Sequence, residues 1–417
     1  MIQGRTGLLG TVALVIGAVL VGLGLFELGS RWLLERTPAG EDVLLGVVLP
    51  PRSVIPSPAP KVVDRDTPYE GLVIDGVAIT TSDLWGIMRP DPLVGYVPQE
   101  NSVSTHGWWR SNDVGARYDR DLGKGVGMAP VGQRWLFFGE SFTQGSRLPQ
   151  EDTWTYRLDT LNADIEAVNF GVDGYGMAQS LLRYRTVADR VRHDVAAFVF
   201  LPTADLWREV NTVRSLAEPW HSFAVLPRFY LAGSDMRLVR SPYPDIDTLY
   251  GENYPRITDK LRNHLQQYDS FFVPALYDPA RADGRLVSAR LVRAFQGKRR
   301  LKEIRRQTFY DPESEAWRTV RQIFLQAKIE AQDRGADFVL IVMPTHDDVR
   351  TAADYDSFRD YWTEMVAVLR NEGLRTFDLL PELSAVEGDL DYGYDGSHYG
   401  PRASARIAAI LNDRLLH

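Results

Sequence analysis

A serine and a histidine–aspartate pair are the residues of this chain whose types and settings suit acyl transfer. Ser141 stands in FFGESFTQG, directly after a short apolar run, and Asp395 and His398 lie three residues apart in the loop DLDYGYDGSHYG. A carboxylate near an imidazole fixes its tautomer and stabilises the imidazolium, and a histidine base activates a serine hydroxyl. Alone, an aspartate and a histidine in one loop are more often a turn cap and a solvated side chain. The pair gains meaning only together with the upstream serine.

The composition narrows this chemistry. The 417 residues include no cysteine, which excludes disulfides, thiolate metal sites, a cysteine nucleophile and a lipidated cysteine anchor. A formal net charge of −8 disfavours a nucleic-acid partner. Charged residues at 24% and aromatic residues at 11% are ordinary for a globular protein. No thiol is therefore available to act with the histidine–aspartate pair, and we expect no cofactor.

The elements that must position these residues alternate between strands and helices. Apolar runs predict strands at about 135–138, 165–168, 196–202, 336–344 and 374–379. Amphipathic stretches predict helices from about 177, near 313–334 and at about 401–416. This alternation indicates an α/β fold, a three-layer α/β/α sandwich with a mainly parallel sheet. Ser141 then lies at the carboxyl end of a strand, where such sheets bind ligands.

The amino-terminal region predicts a membrane anchor. No charged residue occurs between Arg5 and Glu27, and about 20 apolar residues in a helix cross a bilayer core of about 30 Å. A cleaved signal peptide is the alternative, but the run is longer than its usual apolar region and no clear cleavage site follows. Arg5 favours a cytoplasmic amino terminus, which places the rest of the chain outside the cytoplasmic membrane.

The domain boundaries follow from composition. Residues 1–36 are predicted to hold the tail and transmembrane anchor. Residues 37–84 contain prolines 50, 51, 56, 58 and 60 and predict an extended linker and lead-in. For residues 85–417, the family resemblance described next implies a catalytic domain with an insertion at about 212–312.

Three segments in order make the chain similar to the SGNH (GDSL-type) hydrolases, in particular to bacterial membrane-anchored members linked to cell-surface polysaccharides. FFGESFTQG resembles the first block of that family, with Glu140 in place of the usual aspartate; NFGVDGYG resembles the second block and DGSHYG the fifth. The resemblance covers roughly residues 85–417 and implies an SGNH, flavodoxin-like fold. It implies Ser141 as nucleophile, Asp395 and His398 as the other triad members, and the amides of Ser141 and Gly174 as oxyanion donors.

The chain departs from that family in the third block. The family has glycine, asparagine and aspartate there, whereas this chain reads Thr203-Ala204-Asp205, so that Ala204 replaces an asparagine that donates to the oxyanion. Losing one such donor costs about 10²–10³ in rate. The Thr203 hydroxyl is an alternative donor. Glu140 and Asp205 are further candidates for substrate binding.

The function that these residues imply is a serine-dependent acyl-ester hydrolase or O-acyltransferase that acts on a cell-surface polysaccharide, with acetyl as the favoured group. The expected partners are that glycan, the membrane through the amino-terminal helix, and, in the transferase case, a membrane acyl donor. The alternative is a catalytically weak or inactive glycan-binding or assembly protein, which the replacement by Ala204 favours.

Three other clusters contain residues that could bind a ligand. His346 follows the fourth predicted strand and is either a substrate contact or part of a polar loop. The aspartates near 389–395 lack the spacing of a calcium loop, so no metal is expected. The basic stretch RLVSARLVRAFQGKRRLKEIRRQ is either a patch for anionic glycans or lipid headgroups or a solvated helix face.

Overall fold

The computed structural model describes residues 3–37, 40–54, 68–74, 77–80, 87–122, 132–146, 148–218, 224–253, 257–278, 286–393 and 396–415. Contacts divide the chain into two compact units. One comprises Met1–Ala59 and Tyr250–Arg305, and the other Pro60–Leu249 and Arg306–His417. These units differ from the predicted domains. Residues after the apolar helix pack with part of the predicted insertion and do not form an extended linker.

The larger unit contains a five-stranded sheet whose described pairings are all parallel. Its strands are β1 (Gln133–Phe138), β2 (Ile165–Asn169), β3 (Val195–Phe200), β4 (Asp337–Val342) and β5 (Arg375–Asp378). Their order is β5-β4-β3-β1-β2, the flavodoxin-like order. The predicted parallel α/β sheet is confirmed, and each predicted strand lies within two residues of the observed one.

Burial explains why these segments become strands. All residues of β2 and β3 are buried, and β1 and β4 are buried except at their first residue. Continuous apolar runs of this kind suit a sheet covered on both faces. The strand order reverses direction between β1 and β3, which places a crevice for ligands at the carboxyl ends of these two strands.

Helices connect and cover the strands. Helix Trp154–Leu161 packs on Pro401–Leu415, and Met177–Val187 packs on Glu315–Gln332. Because parallel crossovers are right-handed, we expect these two pairs on opposite faces of the sheet. The other helices are Ser141–Gln144, Pro202–Asp205, Arg214–Ala217, Ile246–Asn253, His346–Asp354, Asp356–Asn371 and Leu380–Ser384, with single 3₁₀ turns at Gln150–Asp152, Leu206–Val210 and Glu387–Asp389.

Three antiparallel hairpins complete the larger unit. They pair Pro68–Ile74 with Val77–Thr80, Met88–Asp91 with Gly95–Pro98, and Arg228–Ala232 with Asp235–Val239. The strand at 228–232 also contacts helix Glu315–Gln332. Part of the predicted insertion is therefore built onto the helical layer of this unit.

The smaller unit combines the amino-terminal helix with a small sheet and further helices. Strands Leu34–Arg36, Asp42–Leu44 and Val47–Val48 form an antiparallel sheet. Helices Asp259–Tyr268 and Pro274–Tyr277 follow later in the chain, and the basic stretch forms helix Val287–Tyr310, which belongs to this unit up to Arg305. Leu44, Leu49 and Val287 form one buried apolar cluster.

The amino-terminal helix Gln3–Trp32 includes a stretch with the length and composition of a membrane span. The most apolar 18 residues of Val12–Trp32 have a mean hydropathy of 2.3, and none of these residues is buried within the protein. It is the one such helix among the described residues. A signal sequence near the amino terminus has the same properties, so the helix gives weak evidence of a single-pass anchor and leaves the side of the membrane open.

Candidate active site

Ser141 follows the end of β1 through a tight turn. A β-carbon at Gly139 would lie 2.2 Å from Thr143 Oγ1, so the turn requires glycine. Glu140 then caps the one-turn helix Ser141–Gln144, because its Oε1 accepts a hydrogen bond of 2.7 Å from the Phe142 amide. Gly145 ends the turn with φ of 70°. This turn presents Ser141 at the crevice between β1 and β3.

His398 reaches the same point from the far end of the chain. Its Nε2 lies 2.8 Å from Ser141 Oγ, although 257 residues separate them. The imidazole lies against the Phe142 ring, with 4.5 Å between centroids. The next residue anchors the loop, since the Tyr399 hydroxyl donates to Pro344 O at 2.6 Å. The geometry is that of a serine hydroxyl in contact with a histidine base.

The predicted third member of the triad, Asp395, lies outside the described residues. On the side of the imidazole that faces away from Ser141, Nδ1 lies 3.1 Å from Ser397 Oγ. Asp391, from the same acidic loop, accepts the amide hydrogens of Arg402 at 3.2 Å and Ala403 at 2.7 Å. It therefore serves the start of the terminal helix. No group of three or more metal-ligating side chains occurs in the described part of the chain.

A second hydrogen bond competes for the Ser141 proton. Ser141 Oγ lies 2.5 Å from Glu140 Oε2 as well as 2.8 Å from His398 Nε2. One hydroxyl proton serves one acceptor at a time, so two proton arrangements are open. In one arrangement, the Ser141 hydroxyl donates to His398 Nε2. In the other, it donates to Glu140 Oε2, and a protonated Nε2 of His398 donates to Ser141 Oγ.

Arg208 lies close to two carboxylates, those of Glu140 and Asp205. Its Nη1 lies 3.6 Å from Glu140 Oε2 and 3.3 Å from Asp205 Oδ1, and donates to Tyr175 O at 2.7 Å. Burial by itself would lower the pKa of the guanidinium, but Asp205 and Glu140 outweigh it and raise that pKa. Arg208 thus places one positive charge beside the carboxylates of Glu140 and Asp205.

Asp205 does not line the cavity, contrary to its predicted role in substrate binding. Its side chain is fully buried, and its Oδ2 accepts the Leu201 amide at 2.8 Å. It therefore holds the turn after β3 and pairs with Arg208. Glu140 and His346, the other two candidates, both line the cavity.

The predicted oxyanion donors differ in whether their hydrogens already have an acceptor within the protein. In the described part of the chain, the amides of Ser141 and Gly174 donate no hydrogen bond within the protein, and Gly174 adopts φ of 78°. The Thr203 hydroxyl, by contrast, donates to Asp348 Oδ2 at 2.8 Å. Its single proton is thereby used, so in this arrangement Thr203 is no oxyanion donor. Ala204 lines the cavity without a donor.

The cavity around Ser141 has a volume of about 660 Å³. Its wall combines aromatic rings with carboxylates: Phe142, Trp207, Phe309, Tyr310 and Phe358 among the former, and Glu140, Asp173, Glu218, Asp347 and Asp348 among the latter. Burial raises the pKa of the Asp348 carboxyl, although hydrogen bonds from Thr345 and Thr203 oppose the shift.

His346 contacts the loop that carries His398. Its Nδ1 lies 2.8 Å from Gly396 O, and its ring stacks on Tyr392 with 3.5 Å between centroids. The predicted alternatives were a substrate contact and an ordinary polar loop. The structure adds a third role, the support of the histidine loop.

Two site residues escaped the sequence prediction. Arg208 belongs to no motif, since its role depends on Glu140, which is distant in sequence. Asp348 did have a signal: Thr345 three residues earlier forms a capping box with it at the start of helix His346–Asp354. That pattern was readable, but it gives no hint of the bond from Thr203.

Comparisons with known proteins add little. No protein-family profile and no curated protein matches the chain. Two solved structures are similar in part: a member of the lipolytic protein G-D-S-L family from Veillonella parvula DSM 2008, and TesA. Each is 13% identical with a TM-score of 0.31 and covers 68% of this chain, against 97% of the first chain and 98% of the second. A likeness this weak says nothing of what this chain acts on.

Proposed function

We propose that the protein is a serine-dependent acyl-ester hydrolase or O-acyltransferase. The observation that carries this proposal is the contact of 2.8 Å between Ser141 Oγ and His398 Nε2 at the wall of a cavity of about 660 Å³. The site lies at the carboxyl ends of β1 and β3, at the switch point of the sheet. A nucleophile and a base within hydrogen-bond reach are the minimal equipment for acyl transfer.

The chemistry proceeds in two steps. Ser141 Oγ attacks the ester carbonyl and its proton passes to His398 Nε2; the C–O bond of the ester then breaks, and the leaving alcohol takes that proton. The acyl-serine next reacts with water or with a sugar hydroxyl, whose proton His398 accepts and returns to Ser141. The amides of Ser141 and Gly174 are the donors that we assign to the oxyanion. Asp395 is the residue that we assign to orient the imidazole.

The nature of the cavity wall supports a sugar as the acyl carrier. Aromatic faces such as those of Trp207 and Tyr310 suit the apolar faces of pyranose rings, and carboxylates such as Asp347 accept hydrogen bonds from hydroxyls. An acidic wall disfavours polyanionic acyl carriers. We therefore propose an acylated cell-surface polysaccharide as the substrate, with acetyl as the group transferred. In the transferase case, a membrane protein supplies the acyl group.

The proposed location follows from the amino-terminal helix. As a retained anchor with a cytoplasmic amino terminus, it would hold the catalytic unit outside the cytoplasmic membrane, where surface glycans are found. The alternative function is glycan binding without turnover. Ala204 favours it, because an alanine side chain cannot donate to the oxyanion, and so does the second acceptor of the Ser141 proton, Glu140.

A labelling and turnover experiment tests the proposal. The full chain in detergent is treated with a fluorophosphonate, and acetate release is measured from p-nitrophenyl acetate and from an O-acetylated polysaccharide. We expect one label per chain and turnover that falls about 10⁴-fold or more in Ser141→Ala. Ser146→Ala is the matched control, since Ser146 is a buried serine of the same loop that bonds to Gln144.

The outcomes separate the two functions. Acetate release that is equal in the wild type and in Ser141→Ala, together with no label, would contradict the enzymatic function; glycan binding by both proteins would then support the alternative. Transfer is distinguished from hydrolysis by adding an unacetylated glycan acceptor. A transferase forms new glycan ester in preference to free acetate.

A further inference from the structure

The most charged surface of the smaller unit belongs to the helix Val287–Tyr310. Between residues 287 and 305 the sequence has seven basic side chains and one acidic side chain, Glu303. Lys298, Arg299, Arg300 and Lys302, which we call the basic quartet, are all exposed. On a chain with a formal net charge of −8, this local excess stands out. None of the basic quartet lines the cavity around Ser141, to which the same helix contributes Phe309 and Tyr310 at its end.

The basic helix is bound at its start to the amino-terminal apolar helix. One carboxylate, Glu27, accepts the amide of Val287 at 2.5 Å and both the amide and the hydroxyl of Ser288 at 3.0 Å. A carboxylate on the first amides of a helix satisfies donors that have no partner within the helix. Glu27 is the first charged residue after the apolar run, and it lies within the candidate span Val12–Trp32.

The contact of Glu27 with Val287 and Ser288, which we call the junction, lies where the apolar helix would leave the hydrocarbon core of a membrane. The apolar run ends at Phe26, and Trp32, whose side chain is 91% exposed, closes the candidate span. Tryptophan is enriched at the boundary between headgroups and hydrocarbon. The hydrogen bonds from Val287 and Ser288 therefore start the basic helix at the depth of the headgroups whenever the apolar helix spans a bilayer.

The inner face of the basic helix is fixed by packing. Val287 belongs to the buried cluster with Leu44 and Leu49, and a β-carbon at Gly297 would lie 2.3 Å from Leu276 Cδ2. Arg290 binds Pro50 O and Asp42 Oδ2, each at 2.6 Å. These contacts set the rotation of the helix about its own axis.

The outer face shows an apolar beginning and a basic continuation. Val292 and Phe295 are 54% and 57% exposed, and Arg299 and Lys302 follow on the same face at helical spacing. Exposed apolar side chains beside lysine and arginine are typical of helices that lie in a membrane interface. The apolar residues are also those nearest to the junction with Glu27.

We propose that this face binds the surface of a bilayer that contains anionic phospholipids. Val292 and Phe295 enter the headgroup boundary, and the basic quartet pairs with lipid phosphates. Each basic side chain at an anionic surface strengthens binding about fivefold, and the attraction fades within a Debye length of about 8 Å. Lys302 lies about 21 Å along the helix from Ser288, so the helix must run along the membrane for the whole quartet to contribute.

The absence of cysteine allows a clean test. Gln296→Cys on the full chain, in nanodiscs, takes one spin label beside Phe295, and its accessibility to oxygen and to a water-soluble nickel reagent reports its depth. We expect greater oxygen accessibility in discs with phosphatidylglycerol than in phosphatidylcholine discs. Replacing the basic quartet by glutamine should abolish that difference, as should high salt. A label that is equally accessible to the nickel reagent in both kinds of disc would overturn the proposal.

A second variant tests the junction. Glu27→Ala removes the acceptor of the three hydrogen bonds, so the label should lose its protection in anionic discs while the quartet remains intact. Unchanged protection would overturn the role of Glu27. A soluble polyanionic oligosaccharide added to phosphatidylcholine discs identifies the competing partner: if it protects the label as well as phosphatidylglycerol does, the surface binds a glycan and the bilayer proposal fails.

Discussion

Arg117 is the residue whose loss we expect to destabilise the larger unit most directly. Its side chain is buried, and its two terminal nitrogens donate to four backbone carbonyls, those of Trp108, Gln144, Gly145 and Leu148, at 2.7 to 2.8 Å. Two of these carbonyls belong to the end of the turn that begins at Ser141. One guanidinium thus joins the segment before β1 to the loop that presents Ser141, the proposed nucleophile.

The magnitude follows from these four bonds. Hydrogen bonds to a charged group contribute about 1.5–3 kcal/mol each, or about 6–12 kcal/mol if they were additive. Removing the guanidinium charge from water costs several kcal/mol in the folded protein, and a neutral side chain avoids this desolvation cost. For Arg117→Met we therefore expect a net loss of about 3–5 kcal/mol in the free energy of unfolding. For a unit of about 300 residues, that corresponds to a fall in Tm of roughly 5–8 °C.

Thermal unfolding of the full chain in detergent measures this loss. Arg402→Met is the matched control, because the Arg402 side chain is 75% exposed. Its ion pair with Asp391, at 3.6 Å, lies at the surface and contributes about 1 kcal/mol or less. Arg117→Lys should lose most of the same stability, since one ammonium cannot reach four carbonyls. A Tm for Arg117→Met within a degree or two of the control would refute the reasoning.

Three further predictions concern the site and the pH response. Ala204→Asn should raise kcat for ester hydrolysis by up to about 10²-fold at unchanged KM, because it adds an oxyanion donor; no gain in a folded variant would count against the oxyanion assignment. His346→Phe keeps the stack on Tyr392 but loses the bond to Gly396 O, so kcat should fall severalfold with little change in KM, whereas a rise in KM alone would indicate a substrate contact. Burial lowers the pKa of His193 below its usual 6.5, so the unfolded chain takes up this proton first as the pH falls. The stability from neutral His193 is therefore complete above about pH 6.5 and lost below it; His193→Gln should reduce the slope of Tm against pH between about pH 7 and pH 5, and an unchanged slope would contradict this.

The site shows how far local patterns reach. The sequence placed Ser141 after a buried strand and His398 before the terminal helix, and both predictions depend only on local periodicity and turn residues. It assigned Asp205 to the substrate and Thr203 to the oxyanion. In the structure, Asp205 forms an ion pair with Arg208, and the Thr203 hydroxyl donates its hydrogen bond to Asp348. Asp348 comes from a distant segment, about which periodicity carries no information. Arg208 is only three residues from Asp205, but its role in the site depends on its contact with the distant Glu140.

The domain prediction met the same limit. Proline content predicted an extended linker after the anchor, but residues 42–48 pair into a small sheet whose Leu44 packs on Val287, more than two hundred residues away. The basic stretch was visible as a charge pattern alone. Its connection to Glu27 depends on a contact between distant segments.

The sequence by itself determined the α/β class, the approximate positions of the five strands, the apolar amino-terminal helix and serine as the candidate nucleophile. The strands and the helix follow from local hydrophobic periodicity, and the serine follows from the resemblance of FFGESFTQG to a family block. Each of these signals lies within a short stretch of the chain. Only the tertiary structure decided that Ser141 meets His398 at 2.8 Å, that Arg208 lies 3.6 Å from Glu140 and that Glu27 caps the basic helix. The physical reason is that a hydrogen bond depends on the distance and direction between two particular atoms, which only the packing of distant segments sets.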